Sequence, residues 1–297
     1  MIRLKYKIKE PIYGYLMISP WLVGFIIFIA GSMIASIYLS FTNWRLIGDS
    51  NWVGFVNYHT ILSDDPRFWK SIYNTAYYTF LAVPLGAMGS LLLALLMNQK
   101  VRGIKIYRTF YYLPVVTSGV ATAILWSWIF NPRLGLLNYV LGLIGINGPD
   151  WLLSEVWSKP AFIVMSFWGI GGSMIIFLAG LQSIPEVLYE SAKIDGANWW
   201  HKFRHITIPM LSPTTFFVLV MGVIGSFQIF TSAFVITNGG PADSTLFYVL
   251  YLYQNAFQYF RMGYASALAW ILFIIIFVFT FIQFRFAKRW VHYETLQ

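Results

Sequence analysis

Apolar residues along this chain come in long runs that no Asp, Glu, Lys or Arg interrupts, and the charged positions collect between them. Six such runs cover 15–41, 71–99, 109–132, 160–185, 206–242 and 262–284. A helix needs about 20 consecutive apolar residues to cross a hydrocarbon core about 30 Å thick, because it rises about 1.5 Å per residue. Every run meets that length. The pattern predicts an all-α fold, a polytopic membrane helix bundle with six transmembrane helices over 15–41, 71–99, 109–132, 160–184, 209–237 and 262–284. Residues 1–14 precede the first span, and a polar segment at 185–208 separates the fourth from the fifth.

Two shorter uncharged stretches, 134–149 and 244–260, contain Gly, Asn and Pro in the first and Tyr, Gln and Asn in the second. They are expected to lie at the outer interface as helices or loops instead of crossing. Pro84 and Pro114 fall within spans, where freed carbonyls need a neighbouring helix or water, so each predicts a kink of ordinary bundle geometry. Arg3, Lys5, Lys7 and Lys9 ahead of the first run are reminiscent of a signal peptide, but the run is too long for a signal core and reads as the first span. With no repeat and no low-complexity linker, the simplest organisation is one continuous membrane domain over 1–297.

Composition agrees with the pattern: 58% of the residues are hydrophobic and 10% charged, against about 25% charged in an average soluble domain. A formal charge of +9 raises the question of a nucleic-acid partner, but the basic residues sit between apolar runs and form no stripe. Of the 20 Lys and Arg, 14 fall in the segments that are cytoplasmic if the N terminus is inside, and 6 fall in the others. Lys/Arg excess marks the cytoplasmic side, so both termini are expected there. The absence of Cys removes disulfides and thiolate metal sites.

The spans contain no carboxylate or strong base, whereas ion-driven carriers commonly hold one at mid-membrane as the coupling group. The chain also has no G-x-x-x-x-G-K-[ST] phosphate loop, so it is not expected to hydrolyse ATP itself. Any energy source must then be a separate protein, unless backbone carbonyls form a sodium site in a self-contained carrier or channel driven by an ion gradient. His59, His201, His205 and His292 lie in or near loops. His201 and His205 are four apart, as paired ligands on a helix are, but two ligands do not complete a zinc site and they read as solvated loop histidines.

The segment 184–209 is the most informative. Pro185 suits the first turn of a helix, Glu186 complements the positive end of its dipole, and Asp195-Gly196 supplies a stop and a turn with Gly196 at positive φ. A second short helix is expected over about 198–205. Val187, Leu188 and Ala192 on the first helix, with Trp199, Trp200 and Phe203 on the second, form more apolar surface than a solvated loop should carry, which calls for a partner. Ser191 and Ala192 would let another backbone approach, and Glu190 and Asp195 offer acceptors.

Glu190-Ser-Ala, Asp195-Gly196-Ala197, Ile206, Pro209 and Pro213 resemble the E-A-A…G…I-x-L-P loop of permease subunits in binding-protein-dependent ABC importers. Ser191 stands where Ala is usual, and Ile208 where Leu is common. Trp52-Val-Gly-Phe-Val-Asn-Tyr58, Phe130-Asn-Pro with Gly135-Leu-Leu-Asn138, Thr237-Asn-Gly-Gly-Pro241, Gly263-Tyr-Ala-Ser-Ala267 and Arg289-Trp-Val-His-Tyr-Glu294 are similar to segments of the carbohydrate-importing branch, in particular its maltose- and glycerol-phosphate-type first permease.

The resemblance implies the type I ABC importer permease fold in a prokaryotic cytoplasmic membrane. It implies as partners a second homologous permease, two ABC ATPase subunits carrying ATP and Mg, and an extracytoplasmic sugar-binding protein, with no cofactor in this chain. Glu190, Ser191, Ala192, Asp195 and Gly196 would be the residues coupling to the ATPase, with Trp199 and Phe203 bracing the second helix. A sugar pathway needs neutral hydrogen-bonding groups and flat aromatic faces. Trp168, Gly169, Gly172 and Ser173 in the fourth span, and Ser226, Phe227, Gln228 and Thr231 in the fifth, are the candidates, aligned roughly with the sugar site of the maltose-type relative. The bland alternative for each is helix packing or an interface belt.

Overall fold

The computed structural model describes the backbone of residues 2–292 and the side chains of residues 13–292. The basic side chains of Arg3, Lys5, Lys7 and Lys9, and the motif positions Tyr293 and Glu294, therefore lie outside the described residues. Among the described residues the fold is helical, and Thr42 and Trp52 form only an isolated bridge. Four helices are long and apolar enough to cross a membrane: Tyr13–Ser40, Pro66–Met97, Ser212–Ile236 and Met262–Ala287. Two bent pairs, Ile104–Val116 with Gly119–Ile129 and Ser158–Gly169 with Gly171–Ser183, complete six if each pair is one span.

The bends have local causes. In the third span the helix tightens at Leu113–Val116, with Pro114 in its first turn. Thr117 and Ser118 are extended before the helix restarts at a 98° angle. The run over 109–132, expected as one helix, is thus two, and the Thr117 hydroxyl donates to the Pro114 carbonyl at 2.6 Å to close the first. Pro84, by contrast, leaves Pro66–Met97 unbroken. The fourth span bends 49° at Ile170, whose carbonyl accepts from Ser90 Oγ at 3.0 Å, so the break is satisfied inside the protein. The fifth breaks over Gln228–Phe230, between Ser212–Phe227 and Thr231–Ile236.

Packing divides the chain into two compact units: one runs to Asp64 and includes Leu252–Ile271, and the other comprises Asp65–Tyr251 with the chain from Leu272 onward. In the first unit, Asn57 Nδ2 donates to the carbonyls of Ser40 and Thr42, both at 2.8 Å, and closes the turn that follows the first span. Gly263 lies so close to this turn that a Cβ would meet the Thr42 carbonyl oxygen at 2.0 Å.

In the second unit, Ala87, Ala94 and Met97 of the second span pack with Met174, Phe177, Leu178 and Leu181 of the fourth and with Leu211 and Val218. Asp65 caps the second span, accepting from the N–H groups of Arg67 and Phe68 at 3.0 and 3.1 Å. At its other end Arg108 donates to the Met97 carbonyl from Nη2 at 2.7 Å.

The helix Leu136–Leu143 carries exposed apolar side chains. The stretch after Ser244 differs from its expected surface position: Leu246, Phe247 and Tyr248 are fully buried. Phe247 meets the rings of Tyr78 and Phe162 at 5.5 and 5.4 Å. Its backbone can be buried because Thr75 Oγ1 accepts the Tyr248 N–H at 2.9 Å, while Asn74 Nδ2 donates to the carbonyls of Asp243 and Leu246.

Candidate functional site

Two features of the second unit bear on function. The first is an elbow. The helix Glu186–Ile194 ends at Asp195, and Gly196 turns the chain at φ +77°. The N–H of Ala197 bonds the Ala192 carbonyl at 2.8 Å and that of Gly196 bonds Lys193 at 3.2 Å, which is the two-bond Schellman termination. Asn198 then caps the next helix, accepting from the His201 N–H at 2.9 Å. That helix, Trp199–Lys202, widens into a π-turn over Phe203–Thr207.

The elbow is seated by one face and bare on the other. Leu188, Tyr189 and Ile206 pack on the core of the second unit, and the Tyr189 hydroxyl bonds Thr207 Oγ1 at 2.9 Å, which ties the two helices together. Glu190, Ser191, Asp195 and Gly196 are exposed and Ala192 is half-buried. Val187 is 61% exposed, Ile194 87% and Trp199 67%. The Trp199 and Phe203 rings stack at 5.4 Å with 3° between their planes, and Phe203 is half-buried, so a rigid aromatic plate stands on the second helix.

His201 and His205 stack at 5.9 Å, and each has one ring nitrogen in a hydrogen bond, to Asn198 Oδ1 and the His201 carbonyl respectively. No group of three or more His, Cys, Asp or Glu able to hold a metal occurs among the described residues.

The second feature is a cleft of ≈ 330 Å³ beside the breaks in the fourth and fifth spans. Hydroxyls of Tyr78, Ser90, Ser166, Ser173, Ser226 and Ser232 line it, with no carboxylate, amine or guanidinium. Gly86, Gly169 and Gly225 open it by leaving out side chains, whereas a Cβ on Gly222 would meet Val83 Cγ1 at 2.9 Å. Several hydroxyl protons are already committed: Ser166 Oγ donates to the Ile163 carbonyl at 2.6 Å, Ser90 Oγ to Ile170, and Ser226 Oγ lies within 2.9 Å of both Thr79 Oγ1 and the Val223 carbonyl. What these hydroxyls offer a ligand is lone pairs, suited to an incoming O–H donor.

Of the pathway candidates, Gly169, Ser173 and Ser226 line this cleft. A Cβ on Gly172 would instead meet Val115 at 3.7 Å. Phe227 is buried against Phe279 at 5.4 Å. Trp168, Gln228 and Thr231 are exposed, Trp168 edge-on to Trp126. Tyr78, Ser90 and Ser166 escaped sequence reasoning because the second span was read only as a kinked crossing and Ser166 precedes the fourth-span cluster. Small polar residues recurring in an otherwise aliphatic span were the available signal.

The fold and these two features define a membrane transport subunit. Residues 64–292 match the family described as binding-protein-dependent transport system inner membrane component, and the chain belongs to that family. It is 42% identical to a probable ABC transporter permease protein, YesP, of Bacillus subtilis, over 97% of this chain and 94% of that one. It is 34% identical to the arabinooligosaccharides transport system permease protein AraP of the same organism, over 91% and 87%. Its structure matches a chain from a bacterial alginate ABC transporter solved in complex with an alginate pentasaccharide-bound periplasmic protein. That match has a TM-score of 0.85 and 27% identity, over 97% of this chain and 98% of that one. The chain is thus a multi-pass permease of an ABC importer, and a self-contained ion-driven carrier is set aside.

Proposed function

We propose that this chain forms half of the translocation pathway of an ATP-driven oligosaccharide importer, with a second, homologous permease supplying the other half. Two ABC ATPase subunits carry the nucleotide and its Mg and do the hydrolysis, the chain itself performing no chemistry. An extracytoplasmic sugar-binding protein delivers the cargo, and both termini of this chain lie in the cytoplasm. The observation that carries the reading is the elbow: a structured turn that leaves Val187, Ile194 and Trp199 bare beside the exposed Glu190, Ser191, Asp195 and Gly196, more apolar surface than a solvated loop would present. ATPase closure would act on this face and be passed through Tyr189, Leu188 and Ile206 into the packed spans.

The cargo class rests on the cleft. A polyhydroxyl ligand donates into the lone pairs of Ser166 and Ser226, and the absence of charge there favours an uncharged sugar. The names of AraP and the alginate transporter bracket the possibilities, one being an arabinooligosaccharide system and the other involved in import of an acidic polysaccharide. The test is isolation of the complex in liposomes with its binding protein. A neutral oligosaccharide is expected to stimulate ATP hydrolysis and to enter the lumen, whereas accumulation of a solute by this chain alone without nucleotide would overturn the reading. Ser173→Leu, which fills the cleft, should cut uptake roughly tenfold, the effect of losing about 1.4 kcal/mol of binding, while leaving ATPase subunits attached.

A further inference from the structure

The first unit contains a pocket unrelated to the elbow or the cleft. Its volume is ≈ 180 Å³, and it is lined by Asn43, Trp44, Arg45, Asn57, Thr60, Arg261 and Tyr264. We propose that Arg45 and Arg261 bind the phosphodiester of an anionic glycerophospholipid at this pocket.

Arg45 and Arg261 both line one small concavity, and no carboxylate lines it. Neither arginine is within 4.0 Å of an acidic group among the described residues. Like charges repel, so the arrangement persists most stably when an anion sits between them. The pocket offers further donors: Asn43 Oδ1 accepts the Asn51 N–H at 2.9 Å, leaving its NH2 group to donate, and Thr60 contributes a hydroxyl.

The backbone holds the two arginines together. The Gly263 N–H bonds the Trp44 carbonyl at 3.0 Å, the Leu46 N–H bonds Phe260 at 3.3 Å, and the Arg261 N–H bonds Asn255 at 2.8 Å. Asn57 fixes the turn from the other side through Ser40 and Thr42. A site tied at so many points is built in advance of its ligand, which lowers the ordering cost of binding.

Position selects a lipid over a soluble anion. The first span ends at Ser40 and the sixth begins at Met262, and the pocket residues 43–45 and 261 flank these ends. That is the depth at which a bilayer carries its phosphates. Exposed apolar side chains of Leu46, Trp52, Phe55, Phe257 and Phe260 belong to the same segments and suit acyl chains.

The test uses the full chain with whatever subunits copurify, exchanged into nanodiscs of phosphatidylglycerol and phosphatidylcholine, then released for native mass spectrometry. Wild type and the control R133Q are expected to retain phosphatidylglycerol. R45Q/R261Q should retain it about tenfold less, the loss expected for charge-assisted hydrogen bonds, and R45K/R261K should restore part of it. Both arginine side chains are exposed, and the single variants R45Q and R261Q carry the same comparison if the double variant fails to assemble. Retention unchanged in R45Q/R261Q overturns the proposal. Displacement of the lipid by excess inorganic phosphate, read as a phosphate adduct on wild type alone, reassigns the pocket to a soluble anion. Unchanged lipid with lost capture of the periplasmic binding protein would mean that a protein carboxylate is the true ligand.

Discussion

Gly196 occupies a backbone region that β-branched residues avoid, and nothing within 4 Å would crowd a side chain there. Strain, not collision, is therefore what Gly196→Val introduces, at roughly 1–2 kcal/mol. The variant should insert and assemble, since the elbow is held by Tyr189 and Leu188, but the bare face would be re-aimed. Uptake is expected to collapse while ATP hydrolysis continues, and parallel transport and ATPase assays check it; normal uptake would count against the elbow's role. Asn198→Ala removes the cap on the second helix and should cost about 1 kcal/mol, read as a lower Tm of the detergent-solubilised protein.

At the scale of elements, close approaches decide which substitutions the bundle tolerates. A Cβ on Gly171 would lie 1.9 Å from the Tyr111 carbonyl oxygen, so the fourth span can bend against the third only without a side chain there. Gly171→Ala should destabilise by about 1–3 kcal/mol, measured by thermal unfolding, whereas Gly86→Ala meets nothing within 4 Å and should be close to neutral in stability. A half-buried bidentate pair, Arg67 Nε to Asp243 Oδ2 at 2.9 Å and Nη2 to Oδ1 at 3.0 Å, pins the loop after the fifth span to the start of the second. A double-mutant cycle on Arg67→Gln and Asp243→Asn should give a coupling of about 1 kcal/mol at most, given its partial exposure.

Much of this element plan was legible from the run lengths, because lipid imposes one rule on every crossing segment. The breaks were not. Pro114 marks the third span for a kink but not for a 98° bend over extended Thr117–Ser118, and the interruption at Gln228–Phe230 contains no Pro or Gly to mark it in a hydropathy run. The loop motifs were legible for a physical reason visible here: Asn57, Asn131, Asn138 and Thr237 each tie backbone or a facing side chain, so those positions accept few other residues. Trp151 Nε1, for instance, donates to Asn138 Oδ1 at 2.6 Å. The burial of Leu246–Tyr248 was illegible because its partners, Thr75 and Asn74, lie far away in sequence.

For the whole molecule, the first span is the odd member. Within its most apolar 18-residue window no residue is buried, against 22–28% for the second, fifth and sixth spans. The hydrogen bond from Trp270 Nε1 to Ser36 Oγ at 3.1 Å is one of its few polar ties. Within this chain such a helix gains little from packing, so partition into the bilayer contributes much of what keeps it in place. Mutational damage there should follow a different currency from the rest of the chain: Ile27→Ala would leave melting behaviour untouched, while Ile27→Arg, at about 2.5–3.5 kcal/mol for translocon insertion, would deplete the amount of protein reaching the membrane before any question of folding arises.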